Sequence, residues 1–245
     1  MAFDDAMLGH VLHHPGLVLL RLYTWQEGTI TIGANQEPER AVCLEKLGGT
    51  PLIRRLTGGR AVYHDLTELT YAMALHVTSV LPGEEASSSA IYLKLAEGLQ
   101  LFLSRLGIAS QVVRRSSADA RGAARLSIKS CFTSTARYEL VTRDIKVLAS
   151  AQRRVGDAIL QHGSIKMHGP VPHPALPDLT MKSSHTGQPL GRNELERLAG
   201  VFGRALCDII GATGFSLSGS LDPFPDLGKR FLYLRENPLL KRDLH

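Results

Sequence analysis

IKVLASAQRRVGDAILQHGSIKM, residues 145–167, is the stretch that decides the fold. Its two ends, 145–152 and 158–167, are apolar runs of strand length, and Val155-Gly156-Asp157 between them is typical of a turn. RYELVTR at 137–143 comes just before them with the same character. We therefore predict three consecutive antiparallel strands in this part of the chain.

Further elements are predicted outward from this stretch in both directions. Apolar runs bounded by turn residues predict strands at 17–23, 29–33, 51–55, 69–77 and 108–113, the first two on either side of Gln26-Glu27-Gly28. Helical spacing of apolar residues predicts helices over about the first twelve residues, over 84–106 and over 192–210. The basic stretch 114–127 is predicted to be a mobile loop, and the proline-rich 170–179 is excluded from the centre of a sheet.

These elements predict the fold class α/β (α+β). We expect one domain over residues 1–245, with a mixed, largely antiparallel sheet flanked by helices. The composition agrees, because 44% hydrophobic and 21% charged residues in 245 support a substantial core and exclude a mainly disordered chain.

Composition also narrows the compartment and the partners. No apolar run approaches the roughly 20 residues that span a bilayer, and MAFDDAMLGH does not resemble a signal peptide. Cys43, Cys131 and Cys207 are an odd, widely separated set, so we expect thiols in a reducing cytoplasm. The net charge of +5, without a nucleic-acid-binding motif, favours an acidic partner protein over nucleic acid. The histidines are too dispersed to predict a metal site.

RRLTGGRAVYHD, residues 54–65, is the first segment with unusual chemistry. Two glycines after a strand let backbone N–H groups approach a ligand, and the arginines add positive charge. A hairpin turn with its arginines in solvent explains the same residues. The spacing is not that of a P-loop.

Two further segments carry candidate site residues. Cys131 follows the basic stretch, where positive charge favours a reactive thiolate. An inert packed cysteine is the commoner case. It is our main interpretation of Cys43 and Cys207. Lys146 lies in an otherwise apolar strand, so it either extends to water or faces a polar site. Small residues at 149–151 leave room for a narrow tunnel beside it, whereas His162 is equally consistent with a site and with the core.

Together these segments resemble the lipoate–protein ligase and octanoyltransferase family, whose catalytic domain is shared with biotin–protein ligases. The family's RRxTGGxAVxHD signature stands at 54–65, its lysine strand stands as RDIKVLASAQRR at 143–154, and LQHGSI stands at 160–165. Ala149 replaces a usual glycine in the lysine strand. The resemblance covers roughly residues 1–168.

The family contains both acyl-carrier-protein-dependent transferases and ATP-dependent ligases. SCFTSTARYEL, residues 130–140, resembles the CFxxxSxYE segment of the cysteine-dependent octanoyltransferases, although the proline expected in that segment is missing. Arg60 stands where many ligases have a third glycine. Both features favour the transferase, while small single-domain ligases keep the other interpretation open.

The resemblance implies a reaction and its participants. As a transferase, the protein moves an octanoyl or lipoyl group from acyl-carrier protein to a lysine of a lipoyl domain, through a thioester on Cys131, without a cofactor. As a ligase, it uses ATP and Mg to form lipoyl-adenylate, and Cys131 is dispensable. A third hypothesis, a non-catalytic acyl-binding or lipoyl-domain-binding protein, would require a lost lysine. Neither nucleic acid nor a membrane is an expected partner.

The resemblance also implies roles for individual residues. Cys131 would accept the acyl group, and Lys146 would stabilise the developing oxyanion or clamp the mixed anhydride. The implied substrate-binding residues are Arg54, Arg55, Gly58, Gly59, His64, Ser150 and His162.

Overall fold

A computed structural model describes residues 1–81, 87–113, 131–133, 138–142, 145–166, 168–176 and 187–215. The stretch 114–127, predicted as a mobile loop, and the C-terminal residues 216–245 lie outside the described residues.

A six-stranded antiparallel sheet forms the centre of the described fold, with the strand order β1-β5-β9-β8-β7-β6. Its strands are β1 (Val18–Tyr23), β5 (Leu69–His76), β6 (Gln111–Val112), β7 (Leu140–Thr142), β8 (Ile145–Val155) and β9 (Ala158–Ile165). The hairpin of β8 and β9 turns at Gly156, whose φ of 56° lies in the left-handed region that glycine tolerates best. The three consecutive antiparallel strands predicted over 137–167 are confirmed as β7, β8 and β9.

A smaller three-stranded sheet has the order β3-β2-β4. It consists of β2 (Thr29–Ile32), β3 (Leu52–Arg54) and β4 (Val62–His64), with β2 parallel to β3 and antiparallel to β4. Ile30 and Ile32 of β2 form a small core with Ala41, Val42 and Ala61. The mixed and largely antiparallel architecture is therefore confirmed.

Helices cover both faces of the large sheet. The side chains of β5 alternate between these two faces. Leu69, Tyr71, Met73 and Leu75 pack against α3 (Ser88–Arg105) and α4 (Arg192–Ile210) in the main core. Ala74 on the opposite face packs with Met7, Leu8 and Val11 of α1 (Ala2–Leu12). The remaining helix, α2 (Pro38–Ala41), is a single turn beside the small sheet.

Some sequence predictions differ from the structure in detail. The strand predicted over 108–113 is limited to Gln111–Val112. α3 begins at Ser88, because the Ser87 hydroxyl accepts a hydrogen bond from the Ala90 N–H and caps the helix there. The predicted start at Glu84 lies outside the described residues. The strands on either side of residues 26–28 both form, but β1 joins the large sheet and β2 the small one. The segment between them therefore links the two sheets, which lie on opposite sides of the pocket described next.

Candidate active site

A pocket opens between the two sheets, with about 430 Å³ of space including its open mouth. The small sheet and its loop contribute Arg55, Gly59, Val62 and His64. The remaining lining residues are Met1, Tyr23, Trp25, Thr70, Cys131, Ala149, Ser150, Ala151, His162, Gly163 and Ser164. The wall is largely apolar, with a few polar groups that converge on it.

Cys131 and Lys146 meet at this pocket. Lys146 Nζ lies 3.5 Å from Cys131 Sγ and also donates a hydrogen bond to the Cys131 carbonyl. The Cys131 N–H donates to the Ala61 carbonyl at 2.8 Å, which ties the cysteine to the start of β4. The thiol therefore lies on the pocket wall beside a buried positive charge.

A β-bulge directs Lys146 towards the cysteine. Leu140 of β7 pairs with Leu148, whereas Val141 pairs with Lys146, so β8 contains one extra residue at this point. Val147 and Leu148 both join the main core, while Ala149 packs with Cys131 beside the pocket. In a regular strand Lys146 and Leu148 would lie on the same face, towards the main core. The bulge allows Lys146 to lie on the pocket side instead.

Glu139 is the charged partner of Lys146. Its Oε1 lies 2.7 Å from Lys146 Nζ, and the two side chains are 3% and 4% exposed. A buried ion pair of this kind compensates two charges that would each be costly alone. Glu139 stands in the YE pair of the cysteine segment and was not predicted as a site residue.

Arg55 lies inside the pocket wall. Its guanidinium donates to the carbonyl and hydroxyl of Thr31 at 3.0 and 2.8 Å, and to the carbonyls of Gly58 and Arg60 at 3.1 and 2.9 Å. Burial lowers the pKa of Arg55 to about 10, although the nearby Cys131 opposes this shift. The arginine shapes the glycine loop and brings positive charge near the thiol.

Arg54 is not among the residues that line the pocket. It donates to the carbonyls of Gly33 and Ala34 at 3.4 and 3.2 Å, and to that of Gln36 at 2.5 Å. Gly59 has a φ of 97°, and a Cβ on Gly33 would lie 2.1 Å from the Gly59 carbonyl oxygen. The loop after β3 therefore packs directly on the end of β2. Gly59 in this loop and Gly33 after β2 admit no side chain without strain or rearrangement.

His64 belongs to a continuous buried network. Its Nε2 lies 2.8 Å from Thr31 Oγ1 and its Nδ1 lies 2.6 Å from Glu68 Oε1, while its ring stacks on Trp25 with centroids 4.3 Å apart. Because Thr31 Oγ1 accepts from Arg55, it donates to His64 Nε2, and His64 Nδ1–H donates to Glu68. Burial lowers the pKa of His64, so a neutral imidazole forms this part of the wall.

Lys166 completes the network from the other side. Its Nζ donates to Asp65 Oδ2 at 3.0 Å, to the Tyr63 carbonyl at 2.8 Å and to Glu68 Oε2. Burial opposes ionisation of Glu68, but His64 and Lys166 outweigh it and hold the pKa of Glu68 at about 2. Burial also acts against the charge of Lys166, yet Glu68 and Asp65 raise its pKa. Lys166 was not predicted as a site residue. The feature that could have indicated it is a lysine directly after the apolar run of β9.

His162 is held at the pocket by two hydrogen bonds. Its Nδ1 lies 3.2 Å from Asp4 Oδ2 and its Nε2 lies 2.6 Å from Thr57 Oγ1. Burial lowers the pKa of His162, although Asp4 opposes this shift. The neutral ring donates from Nδ1 to the carboxylate and accepts from the Thr57 hydroxyl, and it links α1 to the glycine loop.

Ser150 and Gly163 lie side by side on β8 and β9. The Ser150 hydroxyl lies 2.7 Å from the Tyr71 hydroxyl, and the Ser150 carbonyl accepts from Tyr92 at 2.9 Å. A Cβ on Gly163 would lie 2.5 Å from the Ala149 carbonyl oxygen and 2.7 Å from Tyr71 Cε1. The small residues therefore set the width of this wall.

The structure brings most of the sequence-predicted site residues to one pocket. Cys131, Arg55, Gly59, His64, Ser150 and His162 line it, and Lys146 contacts the thiol of Cys131. Arg54 and Gly58 are not among the lining residues, since Arg54 binds the carbonyls at 33–36 and Gly58 supplies a carbonyl to Arg55. Within the described residues, no group of three His, Cys, Asp or Glu side chains is placed to hold a metal ion.

The fold and this pocket define a class of protein, and comparison with known families identifies it. The family of the lipoyl protein ligase A/B catalytic domain matches residues 1–173. The chain belongs to this family.

Individual relatives narrow the comparison. Octanoyltransferase LipM of Carboxydothermus hydrogenoformans is 38% identical over 169 residues, which cover 67% of this chain and 59% of that protein. Octanoyltransferase LipM of Staphylococcus aureus is 34% identical over 168 residues, covering 67% of this chain and 60% of that protein. The chain thus matches about three fifths of the length of these curated relatives.

Solved structures show the same fold. A bi-partite lipoate protein ligase of Thermoplasma acidophilum superposes with a TM-score of 0.64 at 17% sequence identity, covering 95% of this chain and 85% of that one. Across the helices that the structure describes, none has the length and apolar character needed to cross a bilayer.

Proposed function

We propose that this protein is an octanoyltransferase of protein lipoylation, which moves an octanoyl or lipoyl group from acyl-carrier protein to a lysine of a lipoyl domain. The observation that carries the proposal is the placement of Cys131 Sγ on the wall of an apolar pocket, 3.5 Å from Lys146 Nζ. The likeness to octanoyltransferases named LipM supports the same reaction.

The first step exchanges one thioester for another. The Cys131 thiolate attacks the carbonyl carbon of the octanoyl thioester, the Sγ–carbon bond forms, and the carbon–sulfur bond to the carrier breaks. The carrier leaves as a thiolate and takes a proton from water. Lys146 donates a hydrogen bond to the oxyanion that develops on the carbonyl oxygen, a contact that is typically worth about 100- to 1,000-fold in rate.

The second step forms the product amide. The ε-amine of the lipoyl-domain lysine attacks the acyl-Cys131 carbonyl, the nitrogen–carbon bond forms, and the Sγ–carbon bond breaks to release the Cys131 thiolate. The proton lost by the amine goes to water. Because an amide is more stable than a thioester, this step is favourable without ATP, and we propose that the transferase needs no cofactor. The Val62, Ala149 and Ala151 side chains, with Trp25, offer an apolar wall for the hydrocarbon chain.

The arrangement of the arginines favours the transferase over the ATP-dependent ligase. A ligase would need cations that face phosphate groups and Mg²⁺ to neutralise them. In this pocket the guanidinium of Arg55 is bound to Thr31, Gly58 and Arg60, and that of Arg54 is bound to the backbone carbonyls of residues 33–36. Both arginines are thus engaged in holding the loop.

The expected partners and compartment follow from this chemistry. The donor is an acyl-carrier protein, an acidic partner that suits the net charge of +5, and the acceptor is a lipoyl domain. A catalytic thiol must stay reduced, so we place the protein in the cytoplasm.

Removal of the Cys131 sulfur tests the proposal. We expect Cys131→Ser to lower octanoyl transfer by about 1,000-fold or more, because a hydroxyl is a far weaker nucleophile than a thiolate at neutral pH. The assay combines octanoyl-carrier protein with an apo lipoyl domain, with and without ATP. Mass spectrometry of the wild type should find one octanoyl group on the Cys131 peptide, removable by hydroxylamine.

Two matched variants serve as controls. Cys43→Ser and Cys207→Ser make the same change at cysteines outside the pocket lining, so both should keep wild-type transfer. Full activity of Cys131→Ser that depends on ATP would show that the protein is a lipoate ligase instead.

A further inference from the structure

Within the described residues, the ammonium of Lys146 contacts two fixed groups and one reactive group. Its Nζ lies 2.7 Å from Glu139 Oε1, donates to the Cys131 carbonyl, and lies 3.5 Å from Cys131 Sγ. An ammonium has three N–H bonds to distribute. Glu139 and the Cys131 carbonyl can therefore anchor the ammonium within reach of the sulfur that reacts.

Glu139 is itself held firmly in place. The Val113 N–H donates to the Glu139 carbonyl at 2.9 Å, and the Tyr138 N–H donates to the Val113 carbonyl at 2.6 Å. Tyr138 adopts a φ of 69°, a left-handed conformation that costs a residue with a side chain free energy. Glu139 follows Tyr138 directly, is 2% exposed, and contacts Lys146 through its carboxylate.

The charges around the cysteine show why an anion is needed there. Arg55 interacts electrostatically with Cys131 from the glycine loop, and Lys166 Nζ lies 5.6 Å from the Phe132 ring centroid. Lys146 Nζ lies 5.4 Å from the same centroid, and Tyr92 of α3 interacts with both Glu139 and Cys131. A third buried cation beside Arg55 and Lys166 is costly unless it is paired.

We propose that Glu139 is a positioning residue of the transfer reaction, which pairs with the Lys146 ammonium and keeps it directed at Cys131 Sγ. The inference rests on the proposed function. In the reaction the hydrogen bond that Lys146 donates to the sulfur shifts to the carbonyl oxygen, as the Sγ–carbon bond forms and the bond to the carrier sulfur breaks. The Glu139 carboxylate keeps the other side of the ammonium fixed throughout.

Glu139→Gln tests this role, because the amide keeps the size of the side chain and removes its charge. The readout is the pH profile of octanoyl transfer to Cys131 in a single turnover. We expect the rate at neutral pH to fall about 10- to 100-fold, and the alkaline limb to move to lower pH, because Lys146 loses its proton more readily without the carboxylate. A merely structural role would lower the rate without moving that limb.

Glu139→Asp is the matched variant that keeps the charge. It withdraws the carboxylate by one methylene, so we expect slower transfer with the alkaline limb at the wild-type pH. If Glu139→Gln does not fold, a wild-type rate for Glu139→Asp overturns the inference. If it folds, a wild-type rate or an unmoved limb for Glu139→Gln does so.

The proposed function and this inference fail in different ways. A wild type that forms no acyl-Cys131 from octanoyl-carrier protein refutes both. A wild type that forms the acyl-enzyme, together with a Glu139→Gln variant whose profile is unmoved, refutes the positioning role alone.

Discussion

At the scale of single residues, Lys146 combines its proposed catalytic role with a structural one. Its ammonium contacts the thiol of Cys131, and the same ammonium neutralises Glu139 in a pair whose side chains are 4% and 3% exposed. Truncation of Lys146 therefore removes the group that would face the reacting carbonyl, and it also leaves a carboxylate buried without this partner.

We expect Lys146→Ala to lose transfer by at least about 100- to 1,000-fold and to lower the free energy of unfolding by about 3–5 kcal/mol. Lys146→Arg should also be poor, because a planar guanidinium does not replace a compact ammonium. Urea unfolding and octanoyl transfer are measured on the same samples.

The double variant Lys146→Met with Glu139→Gln separates the two effects. It removes both charges, so stability should largely return while transfer stays lost. Transfer near the wild-type rate in any of these variants would contradict the catalytic role of Lys146.

At the scale of elements, the pairing of β8 with β9 sets the width of the pocket. Gly163 stands opposite Ser150, and its missing side chain lets Tyr71 and the Ala149 carbonyl approach. A methyl group at this position would have to separate the strands, because the nearest atoms belong to backbone and to a buried ring.

We expect Gly163→Ala to lower the free energy of unfolding by about 1–3 kcal/mol and to reduce transfer, because overpacking moves β8, which carries Lys146. Gly58→Ala is the matched control, since a Cβ there would meet nothing within 4 Å. Both are measured by thermal unfolding and by the transfer assay. Equal stability of the two variants would contradict this account of the strand contact.

At the scale of the whole molecule, buried charges connect the two sheets. Lys166 follows β9 of the large sheet, and it binds Asp65 and Glu68 in the segment between β4 and β5. His64 of the small sheet joins the same network through Glu68. The relative position of the two sheets, and so the pocket between them, depends on these ionised groups.

Acid should weaken this connection. Lys166 and hydrogen bonds from Thr67 outweigh the effect of burial and hold the pKa of Asp65 at about 2, and Glu68 also has a pKa of about 2. A lowered carboxyl pKa stabilises the fold above the pKa of the unfolded chain, which is about 4. This stability is lost as the pH falls from there towards 2. The free energy of unfolding begins to fall already near pH 6.5, because the pKa values of His64 and His162 are lowered in the folded chain and the unfolded chain binds protons there first.

Lys166→Met tests the network through the pH dependence of unfolding in urea. Loss of the cation leaves Asp65 and Glu68 buried without it, so we expect a loss of about 3–5 kcal/mol at pH 7. The difference from the wild type should shrink towards pH 3, where both carboxyl groups of the variant take up protons. A difference that is the same at both pH values would contradict the electrostatic account.

The sequence by itself determined the strands, the long helices and the residues that can do chemistry. Periodic apolar runs predict β7 to β9 and α4 because such patterns are local, and α4 runs over Arg192–Ile210 as predicted. The residue types of Cys131 and Lys146, in segments that resemble a known family, indicated the reaction before any geometry was available.

The tertiary structure alone decided which side chains meet. Glu68 and Lys166 are 98 residues apart in the chain, and no local pattern predicts their contact. The bulge that allows Lys146 to face the pocket depends on the pairing of β8 with β7. The carboxylate that pairs with its ammonium belongs to Glu139, the residue before β7. Burial makes these pairings matter, since a charge removed from water must find its partner across the fold rather than along the chain.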